Sequence, residues 1–200
     1  MTTETNQQDL TERLGLIENM IAEGRRTTEN WSWTFVLWGV AYYVAMAWAT
    51  WGQSPWAWPV TMVAATIVTV ILASMSARHT PATTMGRAVG SIWMALGISM
   101  FLLFLALGIG GKLTDFHVFV AVASAMLGMA NATSALILRW KVQFASAVIW
   151  WAAAIAGCFG TQNQAAIVFL VAIFFCQIVF GIYGMLRESR AKASRGAVHA

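Results

Sequence analysis

The chain has 200 residues, 59% of them apolar and only 10% charged, with a net charge of +4. Soluble domains hold roughly 45–50% apolar and about 25% charged residues, so this composition excludes a water-soluble enzyme or a nucleic-acid-binding domain. It predicts an all-α integral membrane protein bounded by a lipid bilayer.

Residues 1–30 are polar and are expected to form a cytoplasmic N-terminal segment. Asp9-Leu10-Thr11-Glu12 has the form of a capping box. Leu10, Leu14, Ile17 and Ile21 then recur at helical spacing and predict one apolar stripe of a short amphipathic helix. Gly24 is its expected stop, with Arg25-Arg26 as a membrane-edge anchor. The polar face carries Glu12, Glu18 and Glu23 beside Arg13. Helices that lie on membranes carry basic polar faces, so this stripe is expected either to contact protein, the bundle's own loops or a partner chain, or to be a locally folded lead-in helix that meets no partner.

Six continuous apolar runs follow, at about 32–51, 58–77, 89–109, 116–138, 142–159 and 165–186. A spanning helix needs about 20 such residues, and unbroken apolarity marks helices rather than barrel strands. Short connections at 52–55 and 161–164 predict a six-transmembrane-helix bundle of three helical hairpins over 31–187. Residues 188–200 are basic and are expected to be an unstructured tail.

Eleven cationic residues fall on one side of these spans: Arg13, Arg25, Arg26, Arg78, Arg87, Arg139, Lys141, Arg187, Arg190, Lys192 and Arg195. The other side holds Lys112 alone. Lys/Arg-rich loops stay in the cytoplasm, which predicts a multi-pass protein of the bacterial inner membrane with both termini inside. Trp48, Trp51, Trp56 and Trp58 at one edge, and Trp31, Trp33 and Trp140 at the other, read as aromatic belts. Ala41, Ala45 and Ala49 on the first span recur every fourth residue, as do Ser124, Gly128 and Ala132 on the fourth. Such stripes predict close helix contacts, within the chain or with a partner.

The inventory for chemistry is sparse. The interiors of the runs hold no carboxylate, histidine or base, although coupled transporters commonly hide one. His79, His117 and His199 sit at opposite edges and in the tail, which excludes a shared metal or haem within one chain. Ser99 lies mid-span with no histidine or lysine at its depth to activate it. Cys158 and Cys176 differ in depth by on the order of 15 Å, too far for a disulfide. No catalytic residue, metal, cofactor or nucleic acid is therefore expected.

At mid-depth the sequence collects Tyr42, Tyr43, Trp150, Trp151 and Gln177, with Asn131 nearer the basic side. These could wall a pocket for a neutral or aromatic small molecule, or simply pack and bridge helices. The pairs Tyr42-Tyr43 and Trp150-Trp151 each precede a Gly-containing turn, a faint internal repeat.

Six helices in about 200 residues, with the Ala41/Ala45/Ala49 stripe on the first span, resemble in architecture the substrate-binding subunits of energy-coupling-factor vitamin transporters. The resemblance carries over no binding residue. The leading expectation is a non-catalytic accessory or regulatory subunit, working through a membrane-protein partner or as a homo-oligomer. The alternative is binding or transport of a neutral or aromatic small molecule.

Overall fold

The computed structural model describes residues 2–77, 83–111 and 115–198, and almost all of them are helical. In chain order the elements are α1 (Thr2–Asn30), α2 (Ser32–Trp51), α3 (Ala57–Ala77), α4 (Thr84–Ile109), α5 (Phe116–Ile137), α6 (Lys141–Ala156), α7 (Gln162–Ile173), a π-helical segment (Phe174–Val179) and α8 (Phe180–Val198). All six apolar runs fall on helices. Among the described residues four helices are long and apolar enough to cross a membrane: Ala57–Met75, Thr84–Ile109, Phe116–Ile137 and the continuous Gln162–Ala191. The first and fifth expected spans fall short for different reasons. In α2 the polar-edged rings of Trp33, Trp38, Tyr42, Tyr43, Trp48 and Trp51 dilute the apolarity. α6 is apolar but ends at Ala156, with Gly157 as its cap.

Local chemistry sets the ends. The Asp115 side chain accepts from the His117 N–H at 2.9 Å and starts α5. Thr161 and Gln164 form a reciprocal capping box that starts α7. The preceding Gly160 has φ +85°, and the folded-back Gln164 amide occupies the place of a Cβ, so glycine is required there.

Sequence neighbours pack together along the chain, α2 on α3, α4 on α5 and α6 on α7. The most extensive packing is α5 on α6, joined by the turn Leu138–Arg139–Trp140, where Arg139 has φ +49°. α2 packs on α3 along one side and on α8 and the π segment along the other. Ser32 meets Gly184, and Val36 meets Gly181. Ala41 and Ala45 lie on the opposite side of α2, buried, where α3 is the neighbour. Rings knit the core: Phe119 stacks near Phe116, Trp58, Phe104 and Phe169 at centroid separations of 5.0–5.6 Å. Trp58 and Trp140, expected in the belts, turn inward instead, and Trp140 is only 4% exposed.

Two boundary expectations are corrected. Gly24 does not end the first helix, which runs on to Asn30. It is buried, and a Cβ on it would lie 2.8 Å from both Met85 Cβ and Leu138 Cδ2, so its missing side chain serves a close crossing rather than a cap. The basic tail is also not unstructured, because α8 continues as a helix to Val198.

α1 lies at the end of the bundle where α4 begins, α5 turns into α6 and α8 leaves, here termed the base. Thr27 sits beside Gly86, Gly24 beside Met85, and Met20 and Glu23 beside Thr83 and Thr84. The two helices therefore run in the same sense, and residues 10–19 of α1 extend past the start of α4 by about 15 Å.

Candidate functional site: a polar seam above the base

The inner faces of α5 and α6 carry Ser124, Asn131 and Ser134 opposite Gln143, Ser146 and Trp150, all buried. Cys176 and Gln177 in the π segment are buried as well. This is a seam of neutral polar groups in an otherwise apolar bundle. Few of its atoms are paired. The Asn131 amide donates to the Leu127 carbonyl at 2.9 Å, and the Cys176 thiol to the Ser146 carbonyl at 3.4 Å. Ser124 Oγ, Asn131 Oδ1, Ser134 Oγ, Trp140 Nε1, both Gln143 amide atoms, Trp150 Nε1 and Gln177 Oε1 are buried without a hydrogen-bond partner. Buried polar atoms are normally satisfied, so the seam stands out from ordinary packing.

The expected aromatic pocket is partly assembled. Phe169 holds Tyr42 on one side and Trp150 on the other, each at 6.0 Å between centroids. The Tyr43 hydroxyl donates to the Leu170 carbonyl at 2.8 Å. Trp151 lies apart: one residue further is a rotation of about 100°, and it is 38% exposed, packed on Phe144 and over Gly128. The structure thus brings Tyr42, Tyr43 and Trp150 together around α7, buries Asn131 and Gln177 in the same bundle, and leaves Trp151 outside that group.

Of the expected contact residues, Leu10, Leu14 and Ile17 are 56%, 61% and 51% exposed, and Ile21 is half-buried. Ala41 and Ala45 are buried within the chain and Ala49 is half-buried, so that stripe is used internally against α3. Ser124, Gly128 and Ala132 are likewise buried between helices. A cleft of about 240 Å³ opens at the junction of α1 and α4, lined by Met20, Glu23, Thr83, Thr84 and Met85.

The seam residues Ser134, Gln143 and Ser146 were not among the expected site residues. Their signal is visible in hindsight as period: Ser124, Asn131 and Ser134 share one face of α5, and Gln143, Ser146 and Trp150 one face of α6. Gln143 lies two residues into its span and reads as a boundary when the chain is scanned only for apolar runs.

His117 sits at the end opposite the base, with Nδ1 2.8 Å from the Gly157 carbonyl, and ties the α5–α6 pair together there. His79 and His199 lie outside the described residues. Among the described residues no group of His, Cys, Asp or Glu is placed to hold a metal ion, and Cys158 and Cys176 are both free thiols. No family model, curated protein or solved structure matches the chain.

Proposed function

We propose that the protein is a non-catalytic, six-span protein of a bacterial inner membrane, with both termini in the cytoplasm. It acts as an accessory or regulatory subunit by offering its N-terminal arm to a partner. The observation that carries this reading is the fate of one helix stripe. Its upper members, Gly24 and Thr28, are buried against the bundle, while Leu10, Leu14 and Ile17 on the same face are more than half exposed beyond it. An apolar stripe on a projecting helix is a ready contact for another helix. The sense of insertion rests on the clustering of Lys and Arg at the base, where Arg25, Arg87, Arg139, Lys141 and Arg187 lie.

Native mass spectrometry of the protein released in nanodiscs tests the reading. A stoichiometric second polypeptide is expected, and it is lost when Leu14→Glu and Ile17→Glu are introduced. Recovery of the bare chain from wild type, or retention of the partner in the double variant, refutes it.

A second reading is favoured by the unpaired seam and the Tyr42–Phe169–Trp150 stack: binding or transport of a neutral or aromatic small molecule. It requires that a ligand quench tryptophan emission, and that Trp150→Leu with Trp151→Leu remove most of the response.

A further inference from the structure

The turn between α5 and α6, at the base, holds a residue that its backbone conformation disfavours. α5 ends in a Schellman motif: the Trp140 N–H donates to the Ala135 carbonyl at 2.9 Å and the Arg139 N–H to the Leu136 carbonyl at 3.3 Å. The left-handed position of that motif is usually glycine. Here it is Arg139, at φ +49° and exposed. Lys141, two residues on, is exposed as well. A third cation underlies the pair. Arg25 Nε donates to the Leu138 carbonyl at 2.6 Å, and Arg25 Nη2 to the Arg139 carbonyl. Carbonyls at the end of a helix carry its negative partial charge, so Arg25 offsets what would otherwise repel an anion at this turn.

The α5–α6 hairpin supplies no counter-charge at this end, because between Asp115 and Glu188 the chain has no carboxylate side chain. Of the carboxylates that α1 brings to the base, Glu29 is engaged by Arg187 at 3.1 Å, and Glu23 lines the cleft beside Thr83 and Thr84. The helix ends that flank the turn are open and apolar: Leu136 is 68% exposed, Val142 41% and Phe144 39%. Exposed cations at the edge of a lipid-facing apolar surface fit one chemistry, a phosphate carried on acyl chains.

We propose that Arg139 and Lys141 bind the phosphate of an anionic phospholipid whose acyl chains lie against the apolar helix ends at Leu136, Val142 and Phe144. Arginine occupies the left-handed position for its charge, and Arg25 holds the turn that presents it. The site rests on the membrane part of the proposed function, which sets the base at a headgroup layer. It is independent of the accessory role and of the aromatic stack.

The test places the full chain in nanodiscs of phosphatidylcholine with a minor share of phosphatidylglycerol and weighs the lipids it retains by native mass spectrometry. Wild type is expected to enrich phosphatidylglycerol on the order of tenfold over the bulk ratio. Arg139→Gly with Lys141→Gln should abolish that preference. Arg87→Gln with Arg190→Gln removes two exposed cations elsewhere at the base and should leave most of it. Glycine also relieves the left-handed position, so the first variant is expected to unfold no lower than wild type in pure phosphatidylcholine, which separates loss of lipid from misfolding. Inorganic phosphate at millimolar concentration is expected to leave the bound lipid in place. The proposal is overturned if wild type shows no preference, if the first variant keeps it, or if both variants lose it equally. It is also overturned if inorganic phosphate displaces the lipid, which would make this a site for a soluble anion. A chain that does not enter nanodiscs at all refutes the membrane reading instead, so the two failures are told apart.

Discussion

α4 and α5 are neighbours in sequence and in space, yet they are built on opposite rules. α4 is the more apolar, with mean hydropathy 2.4 against 1.6 for α5, but only 6% of its most apolar stretch is buried against 56% for α5. α3 repeats the α4 pattern. In water the more apolar of two helices is drawn inward, because burial of apolar surface drives folding. Here the outer helix presents Ile98, Phe101, Leu102 and Leu105 outward, while the inner one is lined with Ser124, Gly128, Asn131 and Ser134. A hydrocarbon solvent removes the penalty on the first and leaves close packing and hydrogen bonding to organise the second. The contrast is therefore independent support for the membrane reading drawn from composition.

Matched substitutions put the contrast at risk. Phe169→Ala, in the core, is expected to cost about 3–5 kcal/mol, whereas Phe101→Ala on the outer face of α4 should fall within about 0.5 kcal/mol; thermal unfolding in one lipid mixture compares them. Equal losses would mean that α4 has a hidden protein neighbour. Next in size, Ile98→Asp is expected to cost about 2.5–3.5 kcal/mol of insertion, seen as a loss of membrane-integrated protein. Normal integration would show that this face meets water. Gly128→Ala drives a methyl into the Trp151 indole, which occupies the place of that Cβ, and should cost about 1–3 kcal/mol. Gly97→Ala on α4 meets nothing within 4 Å and should instead gain about 0.5–1 kcal/mol from helix propensity. Smallest of all, Gln143→Leu removes two unpaired amide atoms at nearly constant volume and is expected to be neutral or slightly stabilising. A marked loss would reveal a bond partner for Gln143.

How much of this was legible beforehand depended on the kind of signal. Apolar runs mark the helices because a run of twenty such residues has few other uses. They do not say which runs are thick enough to cross, since the rings of α2 are apolar in the face and polar at the edge. The N-terminal stripe was readable, but its length was not: Gly24 has the residue type of a stop and the role of a crossing point, and only the neighbours Met85 and Leu138 separate the two. The alanine stripe likewise announced a contact without naming the partner, which proves to be α3. Adjacency in sequence suggested that Trp150 and Trp151 act together, while helical rotation assigns them to different faces. The seam went unseen in part because Gln143 and Ser146 open a span whose limits were set by apolarity.

The π-helical segment Phe174–Val179 carries a final consequence. It acts as a shim of one residue between two helices with different phases. Upstream, Ala165, Phe169 and Ala172 face the aromatic core; downstream, Gly181 and Gly184 receive α2 and Arg187 reaches Glu29. An uninterrupted α-helix advances about 100° per residue, so deleting the exposed Phe175 would straighten the helix and swing the downstream face off its partner by that angle. The extra residue lets one continuous rod satisfy two neighbours.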